Sequence, residues 1–240
     1  MFQKVQMVKK TKENANKALV TELELCATNM REVLCKVFIE QLKDYDVDCT
    51  CDLFMRSTSE CDFIKMITFL LKKNKAISQS RLKKIVPSLT DNLQKAFLEQ
   101  VNSFDTSMKE LLTEVSKLNV QIIFISQFLS EENTRKFVEK LQLPSDALYL
   151  SFPYDDETSM NINRWLKIIR DIKIPVHRCF AIVSSWKTCR SALLAGMHCI
   201  AMVDRYTAWH DFTGAEMILN SFSSADIENI VSLLQGGEKK

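Results

Sequence analysis

Residues 179–204 read CFAIVSSWKTCRSALLAGMHCIAMVD, and this stretch decides the fold class. Its two apolar runs, CFAIV and HCIAMV, flank an amphipathic segment that stops at Ala195-Gly196-Met197. Continuous rather than alternating apolar runs belong to strands covered on both faces, so the stretch predicts strand, helix, strand within a parallel sheet. In such sheets ligands bind where the carboxyl end of a strand meets the start of a helix. Here that junction reads Val183-Ser184-Ser185-Trp186, with no acid, no glycine and a bulky indole. The scaffold is that of an enzyme, and the place for its chemistry reads as emptied.

Residues 18–25 (ALVTELEL) alternate as a short strand, and residues 120–126 (VQIIFIS) form a continuous apolar strand. Residues 147–152 and 216–222 predict two more strands. Helical periodicity runs through residues 29–44, 59–73, 82–101, 105–118, 131–143, 164–172 and 225–234, with a break or kink expected at Pro87. Strands alternating with helices imply a right-handed parallel sheet with helices on both faces. The run of helices between residues 29 and 102 interrupts that alternation and reads as an insert. Residues 1–16 are polar and Lys-rich, an arm or frayed helix.

The 240 residues suffice for one sizeable domain, and 46% hydrophobic content supports a real core. A formal net charge of +2 points to neither nucleic acid nor an anionic membrane. Lys4, Lys9, Lys10, Lys12 and Lys17 break up the N-terminus, so no signal peptide is expected, and no apolar run is long enough to span a bilayer. Most of the eight cysteines fall in apolar periodic segments, where free thiols behave as small hydrophobes. A reduced, cytoplasmic setting is the expectation. No glycine precedes Gly196, which excludes a glycine-rich phosphate loop.

Three stretches together, residues 18–27 (ALVTELELCA), residues 120–126 and residues 174–204, resemble the haloacid dehalogenase-like superfamily in its β-phosphoglucomutase-like branch. The similarity runs over nearly the whole chain and is most specific at its C-terminal part. It implies a Rossmann-like α/β core, residues 1–28 and 103–240, and an inserted helical cap, residues 29–102. It also implies a site of four parts at the carboxyl edge of the sheet. A nucleophilic Asp and an acid/base Asp two residues later do the chemistry; a Ser or Thr and a Lys hold the phosphoryl group; further acids complete an octahedral Mg²⁺ site.

On this chain the nucleophile position becomes Glu22 and the acid/base position Glu24, each carboxyl moved out by one methylene, about 1.5 Å. A misplacement of about 1 Å costs a positioned reaction on the order of 100-fold. Ser126 keeps the hydroxyl of the second motif, the Lys position falls near Ser159, and the metal acids fall on Val183 and Ser184. The glycine usually following them becomes Thr188. The resemblance therefore implies a protein that has lost Mg²⁺-dependent phosphoryl transfer and acts as a binding or regulatory module. The alternative is an altered phosphohydrolase using Glu22 and Glu24 with Ser126 on the phosphate; only that alternative calls for Mg²⁺, and otherwise no cofactor is expected.

Other candidates carry less. Asp44-x-Asp46-x-Asp48 opens like a calcium loop, but position six is Cys49 and position twelve is Met55. Cys49-x-Cys51 with Cys61 lacks a second pair or a nearby His at zinc spacing. His177, His198 and His210 have no nucleophile partner. Lys72, Lys73, Lys75, Arg81, Lys83 and Lys84 form an acid-free run suited to an anionic partner, a protein or a phosphorylated small molecule. No aromatic platform interleaves them, so nucleic acid is disfavoured. Trp186 and Trp209 are expected to fill the pocket that metal and substrate would occupy.

Overall fold

The structure, a computed structural model, describes residues 12, 15–58, 63–74, 78–152 and 160–236. Six strands, β1 (Lys17–Glu22), β2 (Val120–Ser126), β3 (Leu148–Ser151), β4 (Cys179–Val183), β5 (His198–Met202) and β6 (Met217–Leu219), form one sheet. All pairs are parallel and the order is β3-β2-β1-β4-β5-β6. β1 is thus a middle strand. The order reverses between β1 and β4, the topological switch point beside which open α/β sheets place their ligands.

Side chains alternate strictly along these strands. In β4, Phe180 and Ile182 join one core with Leu19, Ile122, Phe124 and Ile200. Cys179, Ala181 and Val183 join a second core with Val20, Ile123 and Ile125. The second face packs on α7 (Ile162–Ile172) and α8 (Trp186–Leu194), where Trp165 is wholly buried and its Nε1 donates to Ser191 Oγ at 2.9 Å. α8 ends at Leu194 with Ala195 as its C-cap, and Gly196 turns the chain into β5 with φ of +88°, a left-handed conformation that glycine adopts without a Cβ clash.

The first face packs on α5 (Thr106–Ser116), α6 (Glu131–Leu141) and α9 (Ser224–Gln235), and on a run of four helices between β1 and α5. These are α1 (Met30–Lys43), α2 (Cys51–Ser57), α3 (Phe63–Asn74) and α4 (Gln79–Gln100). Their apolar stripes, Leu34 with Phe38 and Leu42 in α1 and Leu82 through Phe97 in α4, merge into the same core as the sheet face. Gln94 of α4 ties the insert to α6: its Oε1 accepts from Ser130 N at 2.9 Å and from Asn133 Nδ2 at 2.7 Å. Among the described residues no helix is long and apolar enough to cross a membrane.

Three expectations are corrected here. α4 does not break at Pro87 but runs through it. Pro87 faces solvent, so water can take up the carbonyl it frees, while Leu82, Val86, Leu89, Leu93 and Phe97 bury a continuous stripe on the opposite side. That burial outweighs a proline cost of about 3 kcal/mol. The first strand stops at Glu22, and Leu23–Cys26 is a 3₁₀ turn rather than more strand. Glu22 stands opposite Ile125, one residue before β2 ends, so beyond it the ladder has almost no neighbour left. α2 is an added element, opened by Thr50, whose side chain accepts from Leu53 N at 3.2 Å. The arm at residues 1–11, Cys61, Lys75 and Ser159 lie outside the described residues, as does the side chain of Lys73.

Candidate functional site

Glu22 ends β1 at the switch point and is 8% exposed; Glu24 sits in the following 3₁₀ turn at 5%. The turn brings both carboxyls to the same edge, which the alternation of a strand would also have done. Each finds a serine. Glu22 Oε2 accepts from the Ser184 backbone N–H at 3.1 Å and from the Ser184 hydroxyl. Glu24 Oε1 accepts from the Ser126 hydroxyl. Ser126 Oγ in turn accepts from Phe128 N at 3.2 Å and Leu129 N at 2.8 Å, so its donor and both lone pairs are engaged.

Burial raises both carboxyl pKa values. For Glu22, hydrogen bonds from Ser184 and the charge of Arg31 oppose the rise without cancelling it. Burial pushes Glu24 up to about 7 against the Ser126 hydrogen bond, and the neighbouring Glu22 adds to the rise.

The residue that sequence reasoning missed is Arg31, in the first turn of α1 and 7% exposed. Its Nη2 donates to the Ser184 carbonyl at 2.9 Å and to Ser184 Oγ at 2.7 Å; its Nε stands 3.3 Å from Asp204 Oδ2. A guanidinium thus joins the end of β4, through Ser184, to the loop after β5. A signal for it existed. Arg31, Leu34, Cys35, Phe38 and Leu42 share one helical face, and a charge on an otherwise buried stripe needs a partner. A positive charge also opposes the dipole at a helix N-terminus, so its position is not explained by α1 alone.

Between the described residues, the space before the two carboxyls is a cavity of about 30 Å³ bordered by Met30, Arg31, Thr58, Phe63, Met66 and Gln127. That is room for about two waters at ~10–15 Å³ each. Magnesium needs near-octahedral oxygen donors. Here the end of β4 offers Val183 and Ser184 rather than carboxylates, Glu22 Oε2 is taken by Ser184, and a fixed positive charge abuts the site. Among the described residues no group of three or more His, Cys, Asp or Glu is arranged to hold a metal. The donor set does not fit a divalent cation.

The tryptophans do not fill this cavity. Trp186 opens α8, whose N-cap is Ser185, and Trp209 is 53% exposed. With Cys189, Arg190, His210, Asp211 and Thr213 they line a separate depression of about 440 Å³. The start of α8 is tied to the loop after β5, the Trp186 backbone N–H donating to His210 Nδ1 at 3.4 Å. His210, lowered to about 4 by burial, is a neutral imidazole at neutral pH. What occupies the mouth is Arg31 with Met30, Phe63 and Met66. Thr188 serves the helix cap, its N–H donating to Ser185 Oγ at 3.3 Å. Lys72, Arg81, Lys83 and Lys84 are exposed around the end of α3 and the start of α4.

Strand order and the helices inserted after β1 match the haloacid dehalogenase-like fold of solved structures. CbbY from Rhodobacter sphaeroides, crystallised with phosphate, superposes with a TM-score of 0.73 at 17% identity, over 88% of this chain and 99% of that one. A β-phosphoglucomutase from Clostridium difficile gives 0.70 at 11%, over 90% and 97%. A haloacid dehalogenase-like hydrolase from Streptococcus pneumoniae gives 0.67 at 9%, over 92% and 99%. At such identities the likeness is one of fold. By sequence, no family model and no curated protein matches the chain.

Proposed function

We propose that this chain is a haloacid dehalogenase-fold protein without magnesium-dependent phosphoryl transfer, serving as a binding or regulatory module. The single observation that carries this reading is the Arg31 guanidinium bonded to Ser184, beside a carboxyl that Ser184 already occupies. A nucleophile must be free to attack, and a metal must find open oxygen donors. Glu22 Oε2 is held by Ser184, and Ser126 has no lone pair or proton left for a phosphate. The network makes structural sense instead: buried polar groups stay buried only when their hydrogen bonds are met.

The partner proposed is an anionic protein surface or a phosphorylated small molecule, met by Lys72, Arg81, Lys83 and Lys84 on the helical insert, residues 29–102, which we read as a cap. Seven free thiols among the described residues, six of them buried, fit a reducing compartment such as the cytoplasm. A second reading has one observation in its favour. Glu24, poised at about 7, has the pKa a general acid/base needs at neutral pH.

One experiment separates the two. The purified chain is assayed on p-nitrophenyl phosphate and β-glucose-1-phosphate with and without Mg²⁺, beside Glu22→Gln. The proposal expects no turnover above the buffer blank and no Mg²⁺-induced rise in melting temperature. Mg²⁺-dependent turnover abolished by Glu22→Gln would overturn it in favour of the hydrolase.

A further inference from the structure

A second cluster of reactive side chains lies away from the carboxyl site, where α1 meets α2. Cys35, 1% exposed on α1, has its Sγ 3.3 Å from Sγ of Cys51, the exposed first residue of α2. Cys49 is buried beside them, close enough for all three thiols to influence one another electrostatically. We propose that Cys35 and Cys51 are a reversible oxidation site, closed to an intrachain disulfide by a low-molecular-weight disulfide such as glutathione disulfide.

Proximity and access together select this pair. A disulfide bond is about 2.05 Å long, so the two sulfurs need approach by only about 1.3 Å, within reach of side-chain rotation at the end of a short helix. The other close pair, Cys189 and Cys199 at 3.4 Å, is buried at both sulfurs, and an oxidant has no route to it. Cys51 meets solvent and is the point of entry. Its thiolate attacks one sulfur of glutathione disulfide and expels a glutathione thiolate. The Cys35 sulfur then attacks Cys51 Sγ and expels the second glutathione thiolate, which takes up the Cys35 proton. Two protein thiols and one glutathione disulfide become one protein disulfide and two glutathiones. Cys35 and Cys49 are buried and cannot meet glutathione disulfide directly, so neither competes for the first step.

The bond would tie α1 to α2 and draw the Cys35 sulfur away from the Tyr206 hydroxyl, which it now meets and which accepts from Arg205 Nη2 at 2.6 Å. That loop also carries Asp204, the partner of Arg31. The inference is independent of whether Glu22 is catalytic.

The test is thiol mapping on the full-length chain. Fully reduced protein is incubated with glutathione disulfide, alkylated, and digested with trypsin without reductant. The expected product is peptide 32–36 joined to peptide 44–56 with loss of two hydrogens, and a fall in free thiols from the eight in the sequence by two per chain. Dithiothreitol should release it. Cys49→Ser should retain the linked peptide, and Cys51→Ser, a change at an exposed position, should abolish it. Four outcomes overturn the proposal: an unchanged thiol count, a stable glutathione adduct without closure, an interchain dimer, or a link that survives Cys51→Ser.

Discussion

Glu24→Gln should make this protein more stable at pH 8 and slightly less stable at pH 4.5. The folded protein holds the Glu24 carboxyl at about 7, against an ordinary 4.5 when unfolded. Below 4.5 both states are protonated and the group contributes no difference. Between 4.5 and 7 the unfolded chain ionises while the folded chain keeps its proton. Stability therefore falls by about 1.4 kcal/mol per pH unit, to a total of about 3 kcal/mol above pH 7. Glutamine has nearly the same shape, and its carbonyl can still accept from Ser126 Oγ. It cannot ionise, so it escapes the whole loss. Its amide must face backbone N–H groups, such as that of Leu129, that now bond the carboxylate, at a cost of about 1 kcal/mol. The net expectation is a gain of about 2 kcal/mol at pH 8 and a loss of about 1 kcal/mol at pH 4.5. Urea unfolding followed by circular dichroism at pH 4.5, 6 and 8 reads this out as a crossing of the two stability curves. Parallel curves for wild type and variant would refute the idea that Glu24 is a desolvated carboxyl.

Arg31→Met should cost about 3–5 kcal/mol at pH 8, because it leaves the buried Glu22 and the Ser184 carbonyl without their cation. At pH 5 the loss should be smaller, since Glu22, whose pKa burial already raises, takes up a proton instead; equal losses at the two pH values in urea titrations would contradict this. Phe97→Ala removes a wholly buried ring that stacks on Phe137 at 6.0 Å and meets Phe128 edge-on at 5.5 Å. It should cost about 3–5 kcal/mol with no dependence on pH, checked by the same titrations. A loss below about 1 kcal/mol would mean that α4 and α6 do not share a core.

Val120–Ser126 was readable to the residue, and a strand opening residues 179–204 was readable in kind, because continuous apolar runs between turn signals admit few alternatives. Pro87 was misleading because its local penalty is visible in sequence, while the apolar stripe that overrides it counts only after burial. The pairing of Glu24 with Ser126 and of Glu22 with Ser184 follows from β1 lying between β2 and β4, which a pattern of helices and strands alone does not state.

The chain by itself determined that the sheet is parallel, that two carboxyls stand near its edge, and that acids are missing after β4. The first and the last are matters of residue type and period, and the place of the two carboxyls is what the family resemblance implied. Tertiary structure alone decided what became of the site. Arg31 reaches Ser184 across 153 residues because α1 starts above the switch point where β1 and β4 meet. A long flexible side chain can satisfy many partners, and only the assembled sheet edge, with its buried carboxyl and unmet carbonyl, selects this one.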